Sequence, residues 1–311
     1  LIPGMAYLVR RLLENASSQS IVRLQQGQAS AEALFKVPQS TTKESLTPKT
    51  EFTNCACRRF VDQHEKAAFQ EALDLTRGQL GRDYPLIIQG RPVETRDQIL
   101  SVSPADTGLL VGRSASAGAA EADAAITAAM AALRDWQAQS ISSRADLLRK
   151  TADLLSQRRD RFSALECFEA GKNWYEADAD VCEAIDFLNY YADQAESLLQ
   201  TRPVDLPGEE NRHRYQPRGI SLVIPPWNFP LAILTGMLSA SLVSGNCVIL
   251  KPASDTPVVA AQLVELLAEA GIPPGVIGFL PGPGGEVGEY LVRHPEAVSY
   301  THLTLPTTRL V

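Results

Sequence analysis

A long apolar stretch runs from Gly219 to Leu250 without a charged side chain, and Lys251 is the first charge that follows it. A charge-free run of this length is typical of a membrane span. Three prolines and an asparagine between positions 225 and 230 interrupt it too closely for a spanning helix. The pattern instead predicts a βαβ unit made of a buried strand at Ile220–Ile224, a Pro-Pro-Trp-Asn turn, a helix with Pro230 in its first turn and a second strand at Cys247–Leu250.

Apolar residues recur at helical spacing in other parts of the chain. They predict helices at Met5–Asn15, Arg59–Leu80, Ala120–Trp136, Ser143–Ala170 and Ala177–Gln200. The other predicted elements are a strand and turn at Tyr84–Glu94, an exposed hairpin at Arg202–Gln216, a helix from Asp255 to Gly271, a strand at Val276–Leu280 and a helix after the glycine-rich segment Pro281–Gly288. Ser17–Thr53 lacks periodicity, as a linker does. This order of elements predicts an α/β fold, a doubly wound parallel sheet with a helical N-terminal layer.

Two polar side chains follow the strands of the predicted βαβ unit. A right-handed crossover makes the strands parallel, so Asn228 and Lys251 both lie at the carboxyl edge of the sheet, where open α/β folds bind ligands. The Asn228 amide is placed either to donate to an oxygen that gains negative charge or to cap the following helix. Lys251 is placed either to contact a ribose or phosphate or to end its strand in solvent. The four glycines between positions 282 and 288 do not form the dinucleotide-binding motif and suit a turn equally well.

Charge and cysteine content narrow the class of protein. The 311 residues carry a net charge of -7, which argues against nucleic-acid binding because phosphate recognition needs a basic surface. The N-terminus has neither a signal peptide pattern nor an initiator Met, so we expect a fragment of a cytoplasmic protein. Five scattered cysteines favour a reducing compartment over a disulfide framework. Cys55 and Cys57 have no second pair, so we expect no metal site, and Cys167 and Cys247 fall at packing positions.

Five segments of the sequence closely resemble the aldehyde dehydrogenase superfamily. They are SVSPADTGLLVG, FEAGKNW, IPPWNFPLAI, NCVILKPAS and AGIPPGVIGFLPGPGGEVG, and the resemblance extends from Arg82 to Ser299. It implies a Rossmann-type nucleotide-binding domain and oxidation of a small-molecule aldehyde through a thiohemiacetal and a thioester, with hydride passed to NAD or NADP. It also implies a homo-oligomer in which the hairpin at Arg202–Gln216 is the oligomerisation strand pair.

The same resemblance assigns roles at the sheet edge. It implies that Asn228 is a catalytic residue, the side-chain donor to the oxyanion. The implied cofactor-binding residues are Lys251 at the adenosine ribose, Gly284 and Gly288 near the adenine, and Ile224, Pro225, Pro226 and Trp227 along the nicotinamide side. Ser254 stands where many NAD-preferring members carry a Glu that chelates the ribose hydroxyls, so the resemblance leaves the choice between NAD and NADP open.

The N-terminal segment places a phenol beside two guanidiniums on one predicted helical face, with Tyr7, Arg10 and Arg11 at i, i+3 and i+4. Such a face suits a small amino-acid carboxylate, or it is a solvated basic helix in which Glu14 pairs with Arg10. IPGMAYLVRRLLEN resembles the last barrel helix of the flavin-dependent proline dehydrogenase domain. The two resemblances together imply a bifunctional bacterial enzyme of the proline utilisation A family, which uses FAD in its first domain and oxidises glutamate γ-semialdehyde in its second.

These resemblances divide the chain into four expected parts. Residues 1–25 are a proline dehydrogenase remnant, 26–81 a linker and leading helix, 82–299 the cofactor-binding half of an aldehyde dehydrogenase domain, and 300–311 a tail outside the match. The family's general-base Glu and nucleophilic Cys have no counterpart in this sequence, so we expect no aldehyde oxidation by this chain alone. Two other interpretations stay open, a general aldehyde dehydrogenase and a non-catalytic nucleotide-binding or interaction module.

Overall fold

The computed structural model describes residues 52–199, 202–203 and 208–301. The helices are α1 (Gln63–Arg77), α2 (Ala119–Ala138), α3 (Ile141–Gln157), α4 (Arg159–Glu169), α5 (Trp174–Leu198), α6 (Ala232–Val243), α7 (Pro257–Ala270) and α8 (Glu289–Arg293). The strands are β1 (Arg82–Tyr84), β2 (Leu86–Ile88), β3 (Arg91–Val93), β4 (Gln98–Ser103), β5 (Asp106–Ala115), β6 (Arg202–Pro203), β7 (Arg212–His213), β8 (Ile220–Val223), β9 (Cys247–Leu250), β10 (Ile277–Phe279) and β11 (Ala297–Thr301). A π-helical turn at Gly284–Gly288 directly precedes α8.

A six-stranded sheet in the order β11-β8-β9-β10-β2-β3 forms the centre of the fold. Its first four strands are parallel, and β2 and β3 extend it in antiparallel fashion. The crossover helices α6 and α7 pack on the sheet, and α2 packs against β8, β9 and β10. Since both crossovers step the same way along the sheet, their right-handedness places α6 and α7 on one face and leaves the other to α2. The predicted doubly wound α/β fold is confirmed, with two antiparallel strands that the sequence did not assign to this sheet.

The predicted βαβ unit is present. Every residue of β8 and β9 is buried, which explains why these strands read as continuous apolar runs. The helix between them begins at Ala232, however, and Pro230 lies in the preceding turn instead of the first helical turn. The Leu231 N–H, which would be the first unsatisfied donor of the helix, donates to the Asp180 carboxylate at 3.3 Å. A contact with a distant helix therefore sets where this helix starts.

Four helices, α1, α3, α4 and α5, form the predicted N-terminal layer. The predicted helix at Ser143–Ala170 is two helices, because Arg158 leaves helical geometry with φ -107° and ψ 16°. The break lets α4 as well as α3 pack against α5. A small satellite core of Phe60, Phe69 and Ala164 joins α1 to this layer.

The segment before α2 forms a second sheet in the order β1-β5-β4. Only the strand and turn at Tyr84–Glu94 were predicted here, and the long hairpin of β4 and β5 was not. The hairpin turn and its flanks hold Ser, Asp, Pro and Gly residues, which resemble a loop in composition. The predicted exposed hairpin is present in the described residues as β6 paired antiparallel with β7.

Several predictions lie outside the described residues. They are the helix at Met5–Asn15, nearly all of the linker at Ser17–Thr53, and the residues Tyr7, Arg10 and Arg11. Within the described residues, no helix is both long and apolar enough to cross a bilayer. The same residues contain no group of three or more His, Cys, Asp and Glu side chains arranged for a metal ion. Burial raises the pKa of Cys167 and of Cys247 to about 12, as expected for thiols that pack and do not react.

Candidate functional site

A cavity of about 400 Å³ opens at the carboxyl ends of β8 and β9. It is lined by Ile224, Lys251, Gly284, Gly288, Glu289, Val292 and Arg293. Ile224 directly follows β8, Lys251 directly follows β9, and the π-helical turn with α8 supplies the rest. This is the position at which parallel α/β sheets bind nucleotides, and four residues predicted for cofactor binding meet here.

Lys251 is a buried cation at this edge of the sheet, with 4% of its surface exposed. Its Nζ donates to the Pro252 carbonyl oxygen at 2.9 Å. Burial lowers the pKa of this ammonium, since desolvation penalises its charge. A ribose hydroxyl or a phosphate oxygen in the cavity would accept a further hydrogen bond from it.

Gly288, at the end of the π-helical turn, leaves room for this lysine, and Gly282, which precedes the turn, leaves room for Val287. A Cβ at Gly288 would lie 3.2 Å from Lys251 Cε, and one at Gly282 would lie 2.4 Å from Val287 Cγ1. Gly288 therefore sets how closely α8 approaches Lys251. Ser254 stands beside the cavity and does not line it, and its hydroxyl donates to the Gly282 carbonyl oxygen at 3.4 Å.

A second cavity of about 350 Å³ holds the predicted catalytic asparagine. Its lining is Ala170, Gly171, Lys172, Tyr175, Glu176, Ala179, Asp180, Glu183, Trp227, Asn228 and Phe229. Of the predicted nicotinamide-side residues, Pro225 is buried, Pro226 is half-buried and Trp227 is 57% exposed. Asn228 and Lys251 thus follow neighbouring strands but line separate cavities.

A buried charge cluster that the sequence did not predict lies under the Asn228 turn. Lys172 Nζ is 3.0 Å from Glu166 Oε2 and 3.0 Å from Asp180 Oδ2, and both carboxylates are fully buried. Burial and then the charge of Asp180 raise the pKa of Glu166 well above its ordinary value. Burial lowers the pKa of Lys172, but the two carboxyl groups outweigh it and raise that pKa overall.

A further buried carboxylate, Glu169, was also missed. Its Oε1 accepts from Val258 N and from Ser101 Oγ, both at 2.8 Å, and its Oε2 accepts from Val259 N at 2.7 Å. It therefore caps α7, whose own N-cap residue Thr256 makes no side-chain cap bond. The sequence carries one signal for these acids, because Glu166 and Glu169 share a helical face with Phe162 at i, i+4 and i+7.

The chain resembles proteins of known identity over most of its length. The "1-pyrroline-5-carboxylate dehydrogenase 2" of Bacillus subtilis (strain 168) is 49% identical over 246 residues, which is 79% of this chain and 47% of that protein. The crystal structure of 1-pyrroline-5-carboxylate dehydrogenase from Thermus with bound NAD superposes with a TM-score of 0.77 at 45% identity, covering 81% of this chain and 49% of that one. The chain thus spans about half the length of the relatives it matches.

Proline utilization A from Bdellovibrio bacteriovorus, inactivated by N-propargylglycine, superposes with a TM-score of 0.79 at 38% identity, covering 96% of this chain and 32% of that one. The aldehyde dehydrogenase family matches residues 92–303, more than half of the sequence. The predicted resemblance is confirmed by the family match and by these relatives. The chain belongs to the aldehyde dehydrogenase family.

Proposed function

We propose that this chain is the cofactor-binding part of an NAD(P)-dependent dehydrogenase that oxidises glutamate γ-semialdehyde, the open form of 1-pyrroline-5-carboxylate, to glutamate. The observation that carries the proposal is the cavity at the carboxyl edge of the sheet, where Lys251 is buried beside Gly284 and Gly288. Relatives named 1-pyrroline-5-carboxylate dehydrogenase at 49% identity support the substrate class.

The cofactor proposal follows from the chemistry of the first cavity. The buried ammonium of Lys251 suits a ribose hydroxyl, and the small residues Gly284 and Gly288 leave space for a flat base. The Thermus relative holds NAD, which supports NAD for this chain. NADP is proposed as a second cofactor because Ser254 brings no carboxylate that would repel a 2′-phosphate.

The substrate proposal follows from the second cavity. Glu176 and Glu183 line it together with Asn228. Burial and then the nearby Asp180 raise the pKa of Glu183, which an ammonium group bound beside it would reverse. These acids suit the α-ammonium of an amino-acid semialdehyde better than they suit an apolar aldehyde.

In the proposed reaction a nucleophilic Cys of the complete enzyme, implied by the family resemblance and without a counterpart in this chain, would add to the aldehyde carbon. Asn228 would donate a side-chain N–H to the aldehyde oxygen as that carbon becomes tetrahedral. The donor matters because the oxygen gains negative charge at that step, and a fixed amide stabilises it without reorganisation. NAD or NADP held beside Lys251, Gly284 and Gly288 would supply the hydride acceptor. On either side of the prolines, Ile224 lines the first cavity and Trp227 lines the second.

The N-terminal segment is proposed to belong to a proline dehydrogenase domain that uses FAD, with Tyr7, Arg10 and Arg11 as the groups that hold the proline carboxylate. The superposition with proline utilization A supports this, since it covers 96% of the chain. We also propose a homo-oligomer in which the β6–β7 hairpin takes part.

Cofactor binding by the full chain is the first test. Titration with NAD+ should quench the fluorescence of Trp227, and Lys251→Met should weaken the affinity at least tenfold, about 1.4 kcal/mol. Lys150→Met, a change at an exposed position of α3, is the matched control and should leave the affinity unchanged. Equal affinities for the two variants would rule out the Lys251 cavity as the cofactor site.

The substrate is tested in a fusion of residues 82–299 to the C-terminal half of the Bacillus subtilis relative. The fusion should form NADH from pyrroline-5-carboxylate, and Asn228→Ala should lower kcat by about 10²–10³. A fusion that oxidises simple aliphatic aldehydes as fast as pyrroline-5-carboxylate would instead favour a general aldehyde dehydrogenase.

A further inference from the structure

The cluster of Glu166, Lys172 and Asp180 touches the turn that carries Asn228 at two points. Lys172 Nζ lies 4.8 Å from the centre of the Phe229 ring, which directly follows Asn228. Asp180 Oδ2, which also contacts Lys172, accepts from the Leu231 N–H at 3.3 Å. The cluster therefore holds the residue after Asn228 and the start of the helix beyond it.

The exposed residues of the turn have little other support. Trp227 is 57% exposed and Phe229 is 41% exposed, so packing alone fixes neither. In the described residues, positions 225–231 make one hydrogen bond to another element, from the Leu231 N–H to Asp180. A cation over an aromatic face contributes more when the cation is shielded from water, and the Lys172 side chain is only 10% exposed.

The cluster needs the positive charge of Lys172 to balance its two buried carboxyl groups. Asp180 is 1% exposed and Glu166 is fully buried, so without the ammonium two carboxyl groups would face each other in the core. Such a pair is stable only with a shared proton or a counter-ion. Loss of Lys172 would leave only a shared proton to hold the pair, so Asp180 would turn toward Glu166 and away from the Leu231 N–H.

We propose that Lys172 and Asp180 are positioning residues that fix the direction in which the Asn228 side chain points. The proposal rests on the proposed role of Asn228 as the oxyanion donor. Neither residue lines the Lys251 cavity, so their effect is confined to the asparagine side of the site.

The test uses the full chain labelled with ¹⁵N. Asn228→Ala identifies the side-chain amide signal of Asn228 by its disappearance. Lys172→Met and Asp180→Asn should each shift or broaden that signal and raise iodide quenching of Trp227 about twofold, because the turn loses an anchor. Lys172→Arg keeps a cation and should restore the signal of the unmodified chain.

Two controls separate positioning from general loss of structure. Lys150→Met removes an exposed lysine outside the cluster and should leave the Asn228 signal in place. The affinity for NAD+ should stay unchanged in every variant. If the unmodified chain binds no NAD+, the proposed function fails, while the Asn228 signal still decides the positioning role.

The proposal is overturned if Lys172→Met and Asp180→Asn fold and give the Asn228 signal of the unmodified chain. It is also overturned if Lys150→Met moves the signal as far. Should Lys172→Met fail to fold, Asp180→Asn decides alone, since it retains an acceptor oxygen and nearly the same volume.

Discussion

At the scale of single residues, Lys251, Glu289 and Arg293 are the charged groups that line the proposed cofactor cavity. Lys251 is buried, and Arg293 forms an ion pair with Glu289. Ser254 is neutral and its hydroxyl donates to a backbone carbonyl. Position 254 therefore brings no carboxylate toward a 2′-phosphate bound beside Lys251.

A negative side chain at position 254 should change the cofactor preference. We expect Ser254→Glu to weaken NADP+ binding at least tenfold, about 1.4 kcal/mol, while NAD+ binding is kept or improved. The carboxylate would repel a 2′-phosphate and accept from a free ribose hydroxyl. Calorimetric titration of both cofactors measures the ratio. Ser254→Gln has the same length without the charge, and a matching loss of NADP+ affinity in that variant would show that bulk and not charge is responsible.

The position of Lys251 at the sheet edge could be predicted from the sequence, because Lys251 directly follows a run of apolar residues that forms a buried strand. The Glu166–Lys172–Asp180 cluster could not. Its members come from two helices and the loop between them, and each is an ordinary polar residue of a helical segment until a third element covers it. The contact that matters for Asn228 depends on how α5 meets the start of α6, which no local pattern encodes.

At the scale of elements, the π-helical turn brings α8 onto Lys251. Gly288 has helical geometry with φ -64° and ψ -48°, so alanine fits its backbone. Gly288→Ala should keep or raise stability, by up to about 1 kcal/mol from helix propensity. It should nevertheless weaken NAD+ binding several-fold, because the new Cβ lies 3.2 Å from Lys251 Cε.

Gly285→Ala is the matched change, since a Cβ there meets nothing within 4 Å. Thermal melts and NAD+ titrations of both variants make the comparison. Equal affinities for the two alanine variants would mean that the position of Lys251 does not depend on Gly288.

Arg144 ties three helices together. Its guanidinium donates to the carbonyl oxygens of Val243 at 3.0 Å, Trp136 at 3.4 Å and Gln139 at 2.5 Å, near the C-termini of α6 and α2. Burial lowers the pKa of Arg144. Among the described contacts, no other cation reaches the three carbonyl oxygens that accept from it. We expect Arg144→Met to lower the free energy of unfolding by about 2–4 kcal/mol.

Arg149 supplies the comparison for that experiment. It contacts Asp146, Asp193 and Glu196 on a half-exposed helix surface. Ion pairs at the surface contribute little to stability. Arg149→Met should therefore lower the free energy of unfolding by at most about 1 kcal/mol, although Arg149 has three carboxylate partners. Urea unfolding of the two variants tests the order, and a larger loss for Arg149→Met would contradict it.

Elements whose apolar residues form a clear run or period could be predicted from the sequence, and elements without such a pattern could not. The strands β8 and β9 and helix α7 follow from apolar runs and from the Pro257 and Gly271 boundaries, where Gly271 has the expected positive φ of 109°. The division at Arg158 interrupts a continuous helical period, so it arises from packing on α5 and not from a local signal. The β4–β5 hairpin was hidden by its loop-like composition.

At the scale of the whole molecule, Glu169 joins the parts of the fold. Its carboxyl group lies on α4 of the helical layer and accepts from Ser101 of the three-stranded sheet and from the first turn of α7 beside the central sheet. Desolvation by burial raises its pKa to about 7, against the lowering effect of these three donors. One titratable group therefore connects three layers.

The direction of that shift predicts how stability depends on pH. A carboxyl group whose folded pKa is raised stabilises the fold below its ordinary pKa of 4.5, and this contribution is lost as the pH rises toward about 7. Glu166, whose pKa is also raised by burial, acts with the same sign. We expect urea midpoints of the full chain to fall between about pH 5 and about pH 8.

Glu169→Gln should flatten this dependence, because the amide does not titrate. It should also lower stability near pH 5 by about 1–3 kcal/mol, since the amide NH₂ would face one of the backbone donors of α7 and leave it unsatisfied. Glu71→Gln, at an exposed position of α1, should change neither the slope nor the midpoint. If Glu169→Gln kept the full pH slope, the slope would have to come from other groups, and Glu169 would act only as an ionised cap for α7.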